Sequence, residues 1–413
     1  MAIVTVAGAN GTSVSLHYDS SSNVTLAQRL ASAITAGVSA GTIVAATDVD
    51  GSPPPVPAGL AGEFVQTLSG LTILPPGYTT LLVTAPSATV FGSANPVLGQ
   101  SVLTDSGTDL TFHAAGGFGS IAAGGGSNQI FIPGSDAGSW SLNAGDGDDA
   151  IVAQGSGNDT INAGAGHNTI QLGSGNDLIT SVGQDVITAG NGSEMVDATG
   201  AESDVVRGRA SHLVFVGGDG SATVLGGSGS DTFFGGNGQA LVTGGTAGNN
   251  YLYAGGGPAT LFGGGSGDQL FSNGDAGQAL YAGVGNETLN GGSSFGQDTF
   301  FGGPGQDQIV GGQGDDTFVA GSGTASIDAA VGQNTFEFIK GYAGGNALVL
   351  DLTDPSQITI ELSGYASVEE SNILSGQTNS GAGATITLSD NTTVTFQGIT
   401  KITSANFTPG GNA

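Results

Sequence analysis

Between residues 144 and 337 the chain sets one bulky apolar residue against a run of small polar ones, at a nearly constant beat. The apolar positions are Ile151, Ile161, Ile170, Ile179, Ile187, Val196, Val206, Val214, Val224, Phe233, Val242, Leu252, Leu261, Leu270, Tyr281, Leu289, Phe300, Ile309, Phe318, Ile327 and Phe336. Their spacing runs from 8 to 11 residues and is most often 9. An amphipathic helix would need an apolar residue every three or four positions; each unit here offers a short strand and a glycine-rich turn. Fixed-period self-similarity with one strand per unit predicts a β-solenoid. Two units make one coil of roughly 18 residues, so alternate strands form two facing parallel sheets. The lone apolar residue of each strand then fills a narrow core between them.

A weaker beat of about ten residues precedes this run, through Val90, Leu103, Phe112, Ile121, Ile130 and Trp140, without the Asp two places before each apolar residue. It predicts ion-free coils or a capping segment over residues 80–143. Upstream, Leu26, Leu30 and Ile34 stand four apart in VTLAQRLASAITA (24–36), a short amphipathic helix expected to cap one end. GSPPPVPAG (51–59) reads as a stiff spacer, and 62–85 as two strands around a Pro-Pro-Gly turn. Residues 1–79 are thus a small α+β capping or assembly domain. After the ladder, a short helix is expected from Ser367 with Glu370 in capping-box position, and 384–402 reads as a hairpin around Asp390 and Asn391.

Composition narrows the function. The 413 residues include 78 Gly and no Cys, and 34 acidic residues face 5 basic ones for a formal charge of −29. Evenly spaced apolar residues argue against disorder, which such a glycine content would otherwise suggest. The charge excludes nucleic acid as a partner, because phosphate binding needs basic clusters, and it calls for a cation. No apolar run is long enough to span a membrane, and the N-terminus lacks the features of a cleaved signal peptide.

The units resemble the glycine-rich nonapeptide of RTX proteins, G-G-x-G-x-D-x-U-x with U bulky and apolar. GGSGSDTFF (226–234), GGPGQDQIV (302–310) and GGQGDDTFV (311–319) come closest, and AGDGDDAIV (144–152) differs in its first glycine. The resemblance covers 144–337 and implies an all-β fold: a parallel β-roll of calcium-binding repeats with a small α+β N-terminal segment. The phrase TITLSDNTTVTFQGIT looks like the C-terminal domain of type I secreted RTX proteins, which makes 338–413 a β-rich secretion domain and the protein extracellular or cell-surface associated. In such rolls the turn Asp and backbone carbonyls hold Ca²⁺ between successive coils, as an ion that takes six to eight hard oxygens requires.

Ligand positions one coil apart fall about 18 residues apart. One edge carries Asp149, Asn168, Asp185 and Asp204, then Ala222, Ala240, Ala259 and Ala279, then Asp298, Asp316 and Asn334. The other carries Asp159, Asp177 and Glu194, an interruption at His212, then Asp231, Asn250, Asp268, Glu287, Asp307 and Ala325. Calcium columns are expected where the side chains are acidic or Asn. The alanine window at 222–279 is either drift or a contact strip.

Catalytic signatures are lacking. The four histidines, His17, His113, His167 and His212, form no H-E-x-x-H. Gly292–Gly296 matches G-x-S-x-G, yet no histidine follows Ser294. The expectation is therefore no enzyme, but a secreted, calcium-stabilised structural protein that self-assembles, as a homo-oligomer or polymer, into a surface layer, filament or biofilm matrix. The alternatives are a carbohydrate-binding adhesin, for which Trp140 and the tyrosines would stack on extracellular polysaccharide, and a polysaccharide-active enzyme.

Overall fold

The computed structural model describes residues 1–8, 11–46, 53–93, 95–209 and 212–408; Gly51 and Ser52 of the expected spacer lie outside the described residues. Two compact units divide the chain, Met1–Phe215 and Val216–Ala413.

In the first unit, short parallel strands stack in two sheets with the chain passing from one to the other at every turn. One sheet includes Ser87–Phe91, Asp109–His113, Gln129–Ile132, Ala150–Ala153, Thr169–Leu172, Gln184–Thr188 and Ser203–Arg207. Its register sets Phe112, Ile130, Ile151, Ile170, Ile187 and Val206 level with one another. The facing sheet aligns Leu142, Ile161, Ile179 and Val196. All these side chains are fully buried. A buried Ile contributes about 2 kcal/mol, so one per strand makes a thin core that depends on unbroken stacking.

The rungs begin earlier than the beat at Val90 suggests. Strand Ile43–Ala46 already pairs in parallel with Ala61–Gln66, which pairs with Tyr78–Val83. Residues 62–85 therefore hold three strands rather than two, since Gly70–Ile73 belongs to the other sheet. The prolines of the expected spacer are docked: Tyr78 Oη donates to Pro54 O at 2.7 Å.

The helix spans Ser21–Ser39, with Ser20 Oγ accepting from Asn23 N, and it ends where Gly41 takes φ +71°. Its buried face, Leu26, Leu30 and Ile34, joins Leu82, Leu103 and Ala122 from three successive rungs, together with the hairpin residues Val4, Val6, Leu16 and Tyr18. Asn23 Nδ2 donates to Ala123 O at 2.7 Å. The helix thus lies along the flank of the stack rather than over an end, because those rungs turn apolar side chains outward as well as inward.

The second unit repeats the architecture. One sheet aligns Val224, Val242, Leu261, Leu280, Phe300, Phe318, Phe336 and Ile360; the other aligns Phe233, Leu252, Leu270, Leu289, Ile309, Ile327, Val349 and Phe396. Two ladder positions differ from the sequence reading. Leu280, fully buried, fills the core where Tyr281 was expected, because the turn at 271–278 carries extra residues. In the first unit, Leu213 and Phe215 point inward and Val214 outward. The hairpin Gly383–Thr387 and Thr393–Gln397 forms as expected, and its second strand adds in parallel to Asn346–Leu350. The short helix runs Glu369–Gly376 after Val368, with no side-chain cap, so the capping box at Ser367 and Glu370 does not form. Glu369 is instead buried and accepts from Ser389 N at 2.6 Å, tying the helix to the hairpin turn.

Glycine is demanded where turns stack. A Cβ on Gly175 would stand 1.8 Å from Gly157 O, and one on Gly192 would stand 1.6 Å from Gly175 O. Backbone cannot swing aside as a side chain can. Gly175→Ala should destabilise the calcium-loaded protein by about 2–3 kcal/mol, read as a lower urea midpoint, whereas Gly376→Ala, with nothing within 4 Å, should leave it unchanged. Equal midpoints for the two variants would refute the stacked-turn account. No described helix is long and apolar enough to cross a membrane.

Candidate metal centre

The acidic turn positions point inward, and the aspartates and asparagines traced below reach with a side-chain oxygen to the rung before them. In the first unit Asp149 Oδ1 accepts Asn128 N–H at 2.6 Å, Asn168 Oδ1 accepts Asp149 N–H at 2.9 Å, and Asp185 Oδ1 accepts Asn168 N–H at 3.2 Å. Asp204 Oδ1 accepts Asp185 N–H at 3.2 Å. On the other edge Asp159 Oδ1 accepts Trp140 N–H and Asp177 Oδ1 accepts Asp159 N–H. The second unit carries the same spines. Asp298 and Asp316 accept from Gln278 and Asp298, and Asn334 accepts from Asp316. Across from them, Asn250 accepts from Asp231, Asp268 from Asn250, and Asp307 from Glu287. The periodic sequence brings these residues to one place on each coil, and the strand's alternation turns them in with the apolar residue two positions later.

Glutamate disturbs the pattern. Glu194 is buried, but its longer side chain turns back so that Oε1 accepts Gly190 and Gly192 N–H, while Asp177 N–H goes to Ser193 O. Three further expectations need correction. His212 N–H donates to Gly192 O, which sets His212 level with Ser193, so the buried Leu213, not an imidazole, follows Glu194 on the spine. Ala279 is level with Thr299, and the spine position of that rung belongs to Gln278, whose Nε2 donates to Gly255, Gly257 and Asn273 carbonyls. Trp140 is 2 % exposed and donates its ring N–H to Asp136, so it is closed to a sugar.

Sequence reading also passed over participants. Asn128 extends the first spine upstream, fully buried. Ser181 Oγ lies 2.6 Å from Asp185 Oδ2 and 2.8 Å from Asp204 Oδ1, and Ser272 Oγ lies 2.7 Å from Asp298 Oδ2. Both serines replace the repeat's early glycine, Ser181 four residues before Asp185 and Ser272 six before Gln278, a substitution that reads as turn polarity until the coils are stacked. An outer row runs one residue before the spine: Asp148 accepts His167 N–H, Asn158 accepts Asn176 N–H, and Asp315 accepts Gln333 N–H.

Electrostatics shows what the spines lack. Burial pushes Asp149 and Asp159 up to about 7, with neighbouring carboxylates adding to it. Burial likewise raises Asp204 and Asp316 to about 6, and it raises Asp177, Asp185 and Asp268. Glu287 is raised by burial first and then by Asp307 beside it. Buried oxygens remain without a hydrogen bond at Asp149 Oδ2, at Asp204 Oδ2 and at both Glu287 carboxylate oxygens. Such groups call for a cation.

The donor set fits calcium. Among the described residues no three acidic or histidine side chains converge, so an ion here would need carboxylates from neighbouring rungs together with turn carbonyls, a hard-oxygen set. Asp149, Asp159, Asp177, Asp185, Asp204, Asp231, Asp268, Asp298, Asp307 and Asp316 would supply the charge, with Glu194 and Glu287 as longer substitutes. Bound calcium supplies positive charge between stacked rungs. At Asn168 and Asn250 an amide does part of this: their Nδ2 groups donate to Asp185 and Asp268 at 2.8 and 2.9 Å. Asn334 donates to Ala329 O.

The family model of the RTX calcium-binding nonapeptide repeat matches in four copies, at residues 154–181, 215–239, 244–278 and 293–327. Those segments coincide with stacked parallel rungs and their inward carboxylates. The chain carries RTX calcium-binding repeats, stacked as a β-roll. RTX repeats bind calcium ions, and proteins that carry them are typically extracellular or secreted. No curated protein and no solved structure matches the chain.

Proposed function

We propose that this RTX protein is a secreted structural scaffold, set by calcium, that leaves the cell by a type I system and assembles outside it into a surface layer, filament or matrix. The observation that supports this most is the use of its buried acids: most lie on the rung spines, where one coil meets the next. Non-catalytic character fits the fate of the one nucleophile motif. Ser294 is fully buried at the end of strand Thr288–Ser294, and its hydroxyl accepts Gly296 N–H at 3.1 Å instead of standing exposed on a strand-to-helix elbow. Outward rows on acidic rungs add contact area for neighbours: Leu178 and Met195 are 40 % and 44 % exposed and level with each other.

Electron microscopy of the purified full chain in millimolar calcium should show ordered arrays or fibres that disperse in excess chelator. Monodisperse particles at high concentration in both conditions would overturn assembly.

A further inference from the structure

In the first unit, the rungs that lack a spine carboxylate share a second peculiarity. Their spine positions hold Ala88, Leu110 and Asn128, and their outward faces form a groove floored by Thr89, Thr111 and Gln129 and rimmed by Ser87, Asp109 and Ser127, with Asp109 Oδ1 accepting Ser127 N–H at 2.9 Å. Two residues further along each strand stand Phe91, His113 and Phe131, ring stacked on ring at 4.5 and 4.7 Å with planes within 11°. The second unit builds the same thing independently. Where the spine positions are Ala240, Ala259 and Gln278, and at the far end Asp298, a groove lies over Thr260, Ala279 and Thr299, rimmed by Gln239 and Gln297. Beside it Phe262, Tyr281 and Phe301 stack at 4.5 and 4.0 Å. In the first unit the rungs from Asp149 to Asp204 carry no such wall: their corresponding outward row is Val152, Gln171, Thr188 and Arg207.

We propose that each of these grooves binds a neutral polysaccharide chain laid along the stacking direction. The reading goes beyond the scaffold role and stands without it. Hydroxyls and carboxamides at every rung of the first groove, and on the rungs of Gln239, Thr260 and Thr299 in the second, are the partners that sugar hydroxyls need. The ring wall is already immobilised by its own stacking, so binding orders no aromatic side chain. Rungs repeat at about 4.8 Å, close to the length of one pyranose, so a polymer meets the same groups again and again. Polyanions are disfavoured by a chain of net charge −29. A peptide strand is disfavoured because the grooves lie on sheet faces whose backbone groups are paired within the ladder, whereas strand addition needs an open edge.

The test is affinity electrophoresis of dispersed, calcium-loaded full chain through native gels containing hydroxyethyl cellulose, a soluble β-1,3-glucan, dextran or galactomannan, with polygalacturonate as the anionic contrast. At least one neutral polymer should retard the protein and polygalacturonate should not. Thr111→Glu combined with Thr260→Glu and Thr299→Glu should weaken retardation at least tenfold with circular dichroism and melting unchanged. Thr169→Glu, outside both grooves, should have no effect. Should glutamate disturb the sheet, alanine at the same three positions should still weaken binding several-fold. Absence of retardation by every neutral polymer, groove variants that bind as the parent does, or variants that alter self-association alone would overturn the proposal. Failure of assembly would leave retardation untouched, so the two readings fail separately.

Discussion

Excess chelator at pH 7.5 should lower the melting midpoint by about 20 °C or more and abolish most of the β-sheet circular dichroism, with recovery on readdition of calcium. Each site filled at a hundredfold excess over its Kd contributes about 2.7 kcal/mol, and each kcal/mol moves the midpoint of a unit this size by about 2–4 °C. Several sites per unit reach that total. The physical reason lies in the spines. Asp149 and Asp204 each keep a buried oxygen without a hydrogen bond, and Asp185 stands between them on the same edge. A core of one apolar residue per strand has little to set against that repulsion. A drop of only a few degrees would mean that backbone ladders and glycine stacking hold the coils unaided.

Chelated protein should be more stable at pH 5 than at pH 8, the reverse of its calcium-loaded form. Burial raises Asp149, Asp159, Asp204 and Asp316 to between about 6 and 7. A carboxyl whose folded pKa exceeds its unfolded value stabilises the fold while protonated, and that contribution is lost as pH rises through the folded value. Between about pH 4 and 7 the chelated protein therefore loses stability, because the unfolded chain releases protons that the folded stack still holds. With calcium present, protons compete with the ion for the same oxygens, so acid weakens the fold instead. Thermal melts across pH 4.5–8.5, with and without chelator, check the crossing. Parallel pH profiles in both conditions would contradict it.

Much of this was legible in the sequence because a nine-residue period places chemistry as well as strands. Spacing near 18 residues was enough to put Asp149, Asn168, Asp185 and Asp204 on one edge, and Asp298, Asp316 and Asn334 on another run. Errors arose where the period slips. At 270–281 the turn is longer, so counting from Leu270 chose Tyr281 for the core and Ala279 for the spine, when backbone pairing selects Leu280 and Gln278. At 212–215 two inward residues, Leu213 and Phe215, flank the expected Val214. A one-residue slip exchanges the two faces of a strand, and periodicity alone cannot locate such a slip. The helix at Ser21–Ser39 was visible as a pattern, but its berth was not, since Leu82, Leu103 and Ala122 are separated from it in sequence and look like ordinary strand residues. Nor could any single unit announce Ser181, whose hydroxyl matters only once two coils are stacked.

Hydrogen exchange resolved by residue, in calcium and in chelator, probes the spines themselves. In calcium, the amides of Asp149, Asp159 and Asp185 should be among the slowest to exchange in the first unit. Chelation should speed them by several orders of magnitude while Leu82, Leu103 and Ala122, packed beneath the helix, change far less. Protection that is the same in both conditions along the acidic rungs would contradict the claim that bound calcium fastens this stack.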